Sequence, residues 1–142
     1  MIKNILLVGI GGGIGSIFRY LCQKWVYQLY PNSFPWGTFL VNIVGCFLIG
    51  VFFAASEKTT FISGDWRLFL TTGLCGGYTT FSAFAFENMS LVRTGNISYT
   101  LLYSIGSVVL GILAVFAGII LIKTFLSYFY TSYNYNLNSP LC

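Results

Sequence analysis

The sequence predicts an all-α membrane protein with four spanning helices per chain. Three observations carry that reading. Charged residues make up 7% of the chain and hydrophobic ones 56%, whereas a soluble domain keeps about 25% charged residues to cover its surface. The charges are also spaced so that uncharged runs 4–18, 25–56, 68–86 and 94–122 stand between them. A spanning helix needs about 20 mainly apolar residues, because about 30 Å of hydrocarbon is crossed at about 1.5 Å per residue. Finally, apolar segments recur along the whole chain, which excludes a signal peptide followed by a soluble domain.

Each span then has its own warrant. The first, about 4–28, reaches membrane length only if the helix continues through Arg19. The second, about 36–56, is trimmed at its start by Pro31 and Pro35, since proline cannot continue a helix from within. The third, about 67–91, and the fourth, about 97–125, complete a single domain over 1–125. A polar aromatic tail follows over 126–142, in which Tyr128 to Tyr135 suit an interfacial belt. Glycine pairs four apart, Gly9 with Gly13 and Gly11 with Gly15, and the pair Ala114 with Gly118, have the small-residue spacing of close helix contacts.

Four spans put both termini on one side, with Lys3, Lys58, Arg67 and Lys123 against Arg19, Lys24 and Arg93 on the other. Orientation is normally set by a clear excess of Lys and Arg on the cytoplasmic side. Here two readings compete. Either something other than these charges decides the topology, or the chain inserts both ways and opposed copies pair. A unit of this size has little interior for polar groups, so a homo-oligomer is expected in either case.

Catalytic equipment is missing from the sequence. The chain has no histidine, no Ser/His/Asp set and no close carboxylate pair, so hydrolytic and acid–base chemistry have no basis. Its cysteines form no CxxC, and Cys22, Cys46 and Cys75 read as small buried apolar residues. What remains is neutral. Thr38 and Asn42 are four apart, as are Tyr103 and Ser107, and each pair shares a helix face. Phe81 and Phe84 lie three apart beside Thr80. Hydroxyls, an amide and ring edges, whose rims carry the positive part of the aromatic quadrupole, suit a small hard anion. A fixed positive charge would trap such an ion.

One stretch does not fit a comfortable helix. In "GLCGGYTT", residues 73–80, three glycines weaken the helix and two β-branched threonines add little. A break there is expected, giving a broken third helix. Irregular backbone at membrane depth is tolerated where it is buried in protein or lines a cavity. Freed carbonyls can hold a cation, and half-helix N-termini can face an anion.

Three motifs then carry a family resemblance: "GGIGSIFRY" at 12–20, "PWGTFLVNIVGCFLIG" at 35–50 and "GLCGGYTTFSAFAFE" at 73–87. The sequence resembles the Fluc/CrcB fluoride channel family across all four spans. The resemblance implies an antiparallel dual-topology homodimer in the cell membrane, passively exporting fluoride and relieving its toxicity. It implies a fluoride pore lined by Asn42, Phe81 and Phe84, extended by Thr38 and Ser82; Tyr103 and Ser107 join by spacing. It also implies one structural Na⁺ at the dimer interface, held by the main-chain carbonyls of Gly76 and Thr79 from both copies. Arg19 and Glu87 take structural or vestibule roles. Ala83 departs from the family, which often has Thr there; an altered conduction rate is the expected consequence. The alternative, a small dual-topology proton-coupled exporter, would need an acidic residue deep in a span, and Glu87 is its one weak candidate.

Overall fold

The structure, a computed structural model, describes residues 1–58 and 64–138. Cys142 and the end of the tail lie outside them. Helix α1 spans Ile2–Leu29 and α2 spans Trp36–Lys58. The region that follows is built from short pieces: α3 (Gly64–Arg67), a π-helical stretch Leu68–Cys75, α4 (Gly76–Tyr78) and α5 (Phe81–Arg93). The last helix, α6, runs over Ile97–Asn138, past the expected end of the fourth span at 125. Among the described residues there is no strand.

Among the described residues, three helices are long and apolar enough to cross a membrane: Ile2–Leu29, Trp36–Glu57 and Ile97–Phe129. Local chemistry explains their ends. Tyr30 precedes Pro31, and a residue before proline is pushed out of the α region; α1 stops there, with Tyr30 at φ −130° and ψ 72°. Pro35 stands just ahead of α2 and gives its carbonyl to the Phe39 N–H at 3.1 Å. Between α5 and α6 the chain turns at Gly95, whose φ of +75° is the left-handed conformation that ends many helices.

Glycine sets how closely the helices approach. A methyl group at Gly11 would stand 2.8 Å from the Phe69 carbonyl oxygen, and one at Gly15 would stand 2.8 Å from the Tyr78 nitrogen. The Gly11 and Gly15 face of α1 therefore lies on the π-helical stretch and α4, backbone against backbone. A methyl group at Gly9 or Gly13, one face round, would meet nothing from another element within 4 Å among the described residues, so the two glycine stripes have different roles. Helices α2 and α6 meet in the same way, with Gly50 against Val115 and Gly118 against Phe47 and Val51. A wholly apolar solvent gives helices no hydrophobic reason to associate, so this close packing is what holds them.

Aromatic rings fill the remaining interior. Phe34, Leu91 and Tyr103 are buried together, with Trp36, Phe39 and Phe84 packed on them. Phe34 meets Tyr103 edge-on at a centroid distance of 5.6 Å, the geometry that opposed quadrupoles favour. Lys3 pairs with Asp65, tying the start of α1 to α3, and the Arg67 guanidinium lies 5.4 Å from the Phe53 ring centre. Outside, large apolar side chains such as Ile10, Trp25, Leu102 and Phe116 are exposed. In water such a surface would aggregate; it is the surface of a protein solvated by lipid.

Candidate functional site

The site is built where α4 stops and α5 begins. Thr79 (φ −78°, ψ 157°) and Thr80 (φ −148°, ψ 115°) are extended. Extended residues withdraw from the helical hydrogen-bond ladder, and each released group needs another partner. The Thr80 N–H, which a continuous helix would aim at the Gly76 carbonyl, donates instead to Asn42 Oδ1 at 2.8 Å. Asn42 Nδ2 in turn donates to the Thr80 carbonyl at 3.2 Å. Thr80 also starts α5 as its N-cap, Oγ1 accepting from the Ala83 N–H at 3.2 Å. The Thr79 carbonyl, which would have taken that N–H, accepts from Arg19 Nη1 at 3.4 Å. Ser16 Oγ donates to the Gly77 carbonyl at 3.3 Å. Side chains from α1 and α2 thus satisfy the interruption.

Beside it lies a cavity of about 330 Å³ bordered by Asn42, Gly76, Thr79, Thr80, Phe81, Phe84 and Ser107, with Cys46 and Cys75 among its apolar wall. Asn42 has one Nδ2 hydrogen beyond the bond to Thr80. Ser107 Oγ is buried and has no hydrogen-bond partner among the described residues. The rings of Phe81 and Phe84 stand with centroids 5.7 Å apart and planes tilted by 36°. Among the described residues no charged side chain borders this space.

A second polar cluster centres on Glu87 of α5. Its Oε1 accepts from Thr38 Oγ1 at 2.7 Å and from the Tyr27 hydroxyl at 3.1 Å, and its Oε2 accepts from the Tyr103 hydroxyl at 2.7 Å. Thr38 and Tyr103 are fully buried. A carboxylate only accepts, so three hydroxyls aimed at it suit its charge well. A smaller cavity of about 160 Å³, bordered by Tyr27, Asn32, Ser33 and Glu87, lies on the α1–α2 loop side of the cluster. Phe84 links the two clusters: it borders the larger cavity and packs on Tyr103 at 5.0 Å.

The residues singled out from sequence therefore divide. Asn42, Phe81, Phe84, Ser107, Gly76 and Thr79 border one cavity. Thr38 and Tyr103 do not border it, and their hydroxyl protons go to Glu87. Ser82 is exposed, its Oγ 3.3 Å from Thr80 Oγ1. Arg19 reaches the Thr79 carbonyl, and Glu87 is the centre of the hydroxyl cluster. Sequence reasoning missed Gln23 and Tyr27. Both belong to the Glu87 cluster, and their four-residue spacing on α1, with polar tips in an apolar stretch, was the available signal.

These features define a class: a multi-pass helical membrane protein with an uncharged, partly polar cavity at an interruption between helices. Residues 6–119 match the family model described as CrcB-like protein, Camphor Resistance (CrcB), and the chain belongs to that family. It is similar to the fluoride-specific ion channel FluC of Phocaeicola vulgatus, 51% identical over 82% of this chain and 96% of the relative. The FluC proteins of Leptospira interrogans (serovar copenhageni) and Flavobacterium psychrophilum are 45% and 46% identical. They match 87% and 85% of this chain, and 97% and 98% of their own lengths.

Proposed function

We propose that this chain is a passive fluoride-selective channel that lets the anion leave the cell and so relieves its toxicity. One observation carries the proposal. Among the described residues, the spare Asn42 N–H, the unpartnered Ser107 hydroxyl and the Phe81 and Phe84 rings share a cavity that no charged side chain borders. Fluoride is small and strongly hydrated. Donors and ring rims can replace part of its water shell, and the lack of a fixed cation lets it leave again. The names of the relatives agree with this reading. Ser82 extends the donor set from the start of α5, while Thr38 and Tyr103 act through Glu87.

The pieces from α3 to α5 are read as one crossing, a third span broken at Thr79–Thr80. The working unit is read as an antiparallel dual-topology homodimer. In the single chain Phe81 is 79% exposed, an unusual place for a ring that borders a polar cavity, and a second copy would cover it. The near balance of Lys and Arg between the two sides supports opposed insertion.

The residues fit one structural Na⁺ at the dimer interface. The helical partner of the Gly76 carbonyl is lost to Asn42, and Gly76 is exposed in the single chain. The Thr79 carbonyl has two lone pairs, of which the Arg19 guanidinium takes one at 3.4 Å. Such carbonyls from two copies, brought together, repel unless a hard cation lies between them. When bound, the ion supplies that neutralisation and no chemistry.

A fluoride electrode reading efflux from loaded proteoliposomes tests the function directly. Vesicles holding this protein that release no fluoride would refute it.

A further inference from the structure

This inference rests on the channel reading and concerns a residue outside the cavity. Thr38 is the third residue of α2, in its first turn. Its Oγ1 lies 2.7 Å from Glu87 Oε1, across to α5. From α1, Gln23 Nε2 donates to the same Thr38 oxygen at 2.9 Å. A hydroxyl has a single proton to give. With an amide N–H occupying one lone pair, that proton is aimed at the carboxylate. The chain of donors therefore has a direction, Gln23 to Thr38 to Glu87.

The direction matters because of what surrounds Glu87. Tyr27 of α1, Thr38 of α2 and Tyr103 of α6 all donate to it. The ion pair among the described residues is Lys3 with Asp65, so hydroxyls, not a cation, offset the charge of Glu87. The carboxylate lies beside the smaller cavity and is linked to the larger one through Tyr103 and Phe84. A negative charge in that position repels a passing anion unless donors disperse it.

We propose that Gln23 is a positioning residue of the anion path: it aims the Thr38 hydroxyl at Glu87 and so keeps the carboxylate dispersed. Gln23→Met keeps the side-chain length and removes the donor, freeing the Thr38 hydroxyl to rotate away from Glu87.

The test is fluoride efflux from proteoliposomes, with assembly checked by size-exclusion chromatography. Gln23→Met is expected to slow efflux on the order of tenfold, the equivalent of one hydrogen bond to a charged group. Made on a Thr38→Val or a Glu87→Gln background, the same change is expected to add no further loss, because the relay or the charge is already gone. A packing role would lower efflux equally on every background. If Gln23→Met does not assemble, Gln23→Asn keeps an uncharged amide and draws it back from Thr38; the same loss, again absent with Glu87→Gln, is expected. Wild-type efflux in Gln23→Met, or an equal loss on the Glu87→Gln background, would overturn the proposal. A native protein without efflux would instead overturn the channel reading.

Discussion

The side-chain amide of Asn42 holds the backbone of Thr80 at both ends, accepting from its N–H at 2.8 Å and donating to its carbonyl at 3.2 Å. A primary amide copies the donor and acceptor of a peptide group, so it can stand in for the helical partners that the extended Thr79 and Thr80 give up. Among side chains, only glutamine shares this pairing of a carbonyl acceptor and an N–H donor on one planar amide. The same amide borders the cavity, which joins the stability of the interruption to the chemistry proposed there.

Asn42→Leu is therefore expected to do two things. It leaves the Thr80 N–H and carbonyl without their partners, at a cost of about 1–3 kcal/mol for each buried group. It also removes the spare donor. The midpoint of thermal unfolding in detergent should fall and fluoride efflux should be lost. Full efflux from a folded Asn42→Leu protein would show that the amide is structural alone.

The two phenylalanines should respond differently in stability and alike in flux. Phe81 is 79% exposed in the single chain, so Phe81→Ile is expected to leave the fold of each copy nearly unchanged and to act at the face that the second copy covers. Phe84 packs on Tyr103 at 5.0 Å, and Phe84→Ile should cost about 1 kcal/mol, the order of an aromatic pair. Both substitutions are expected to slow efflux while the dimer still assembles. Wild-type flux in either would mean that the ring merely packs.

Removing sodium tests the proposed interface ion. In Na⁺-free buffer the dimer is expected to loosen or the pore to fall silent, since opposed carbonyls repel without a cation between them. Dimer fraction by cross-linking and efflux on the same sample measure both. An indifferent protein would argue against the Gly76 and Thr79 site.

Glu87→Gln separates a channel from a proton-coupled exporter. A passive channel should still release fluoride with this change and without a pH gradient. Flux that vanishes in Glu87→Gln, or that needs a proton gradient in the native protein, would favour coupled exchange.

Ala83 offers a milder test. Its N–H is held by Thr80 Oγ1 at 3.2 Å, and a threonine there would add a hydroxyl one residue from Phe84. Ala83→Thr should change the rate of efflux and not abolish it. Identical rates would show that this position does not touch the path.

Much of the architecture was legible in the order of residues. Sparse charge announced the membrane, Pro31 and Pro35 marked the gap before α2, and glycine pairs four apart marked close packing of α1, although the fold uses Gly11 and Gly15 for it and leaves Gly9 and Gly13 open. These signals act through neighbours in the chain: a proline constrains the residue before it, and helical spacing sets which residues share a face. The long reach of α6 was less legible, because "YFYTSYNYN" lacks both the apolar run of a span and the proline that would end a helix before Asn138.

By itself the sequence determined a lipid-facing helical protein whose polar groups are neutral and gathered near a glycine-weakened stretch. Which of those groups meet was decided only by the tertiary structure. Asn42 finds Thr80 across 38 residues, and Thr38 and Tyr27 find Glu87 across 49 and 60. Spacing along one helix placed Thr38 with Asn42 and Tyr103 with Ser107, yet the fold sends the first of each pair to the carboxylate and the second to the cavity. The physical reason is that a hydroxyl has one proton, and its destination depends on which acceptor the packing of another helix brings within 3 Å.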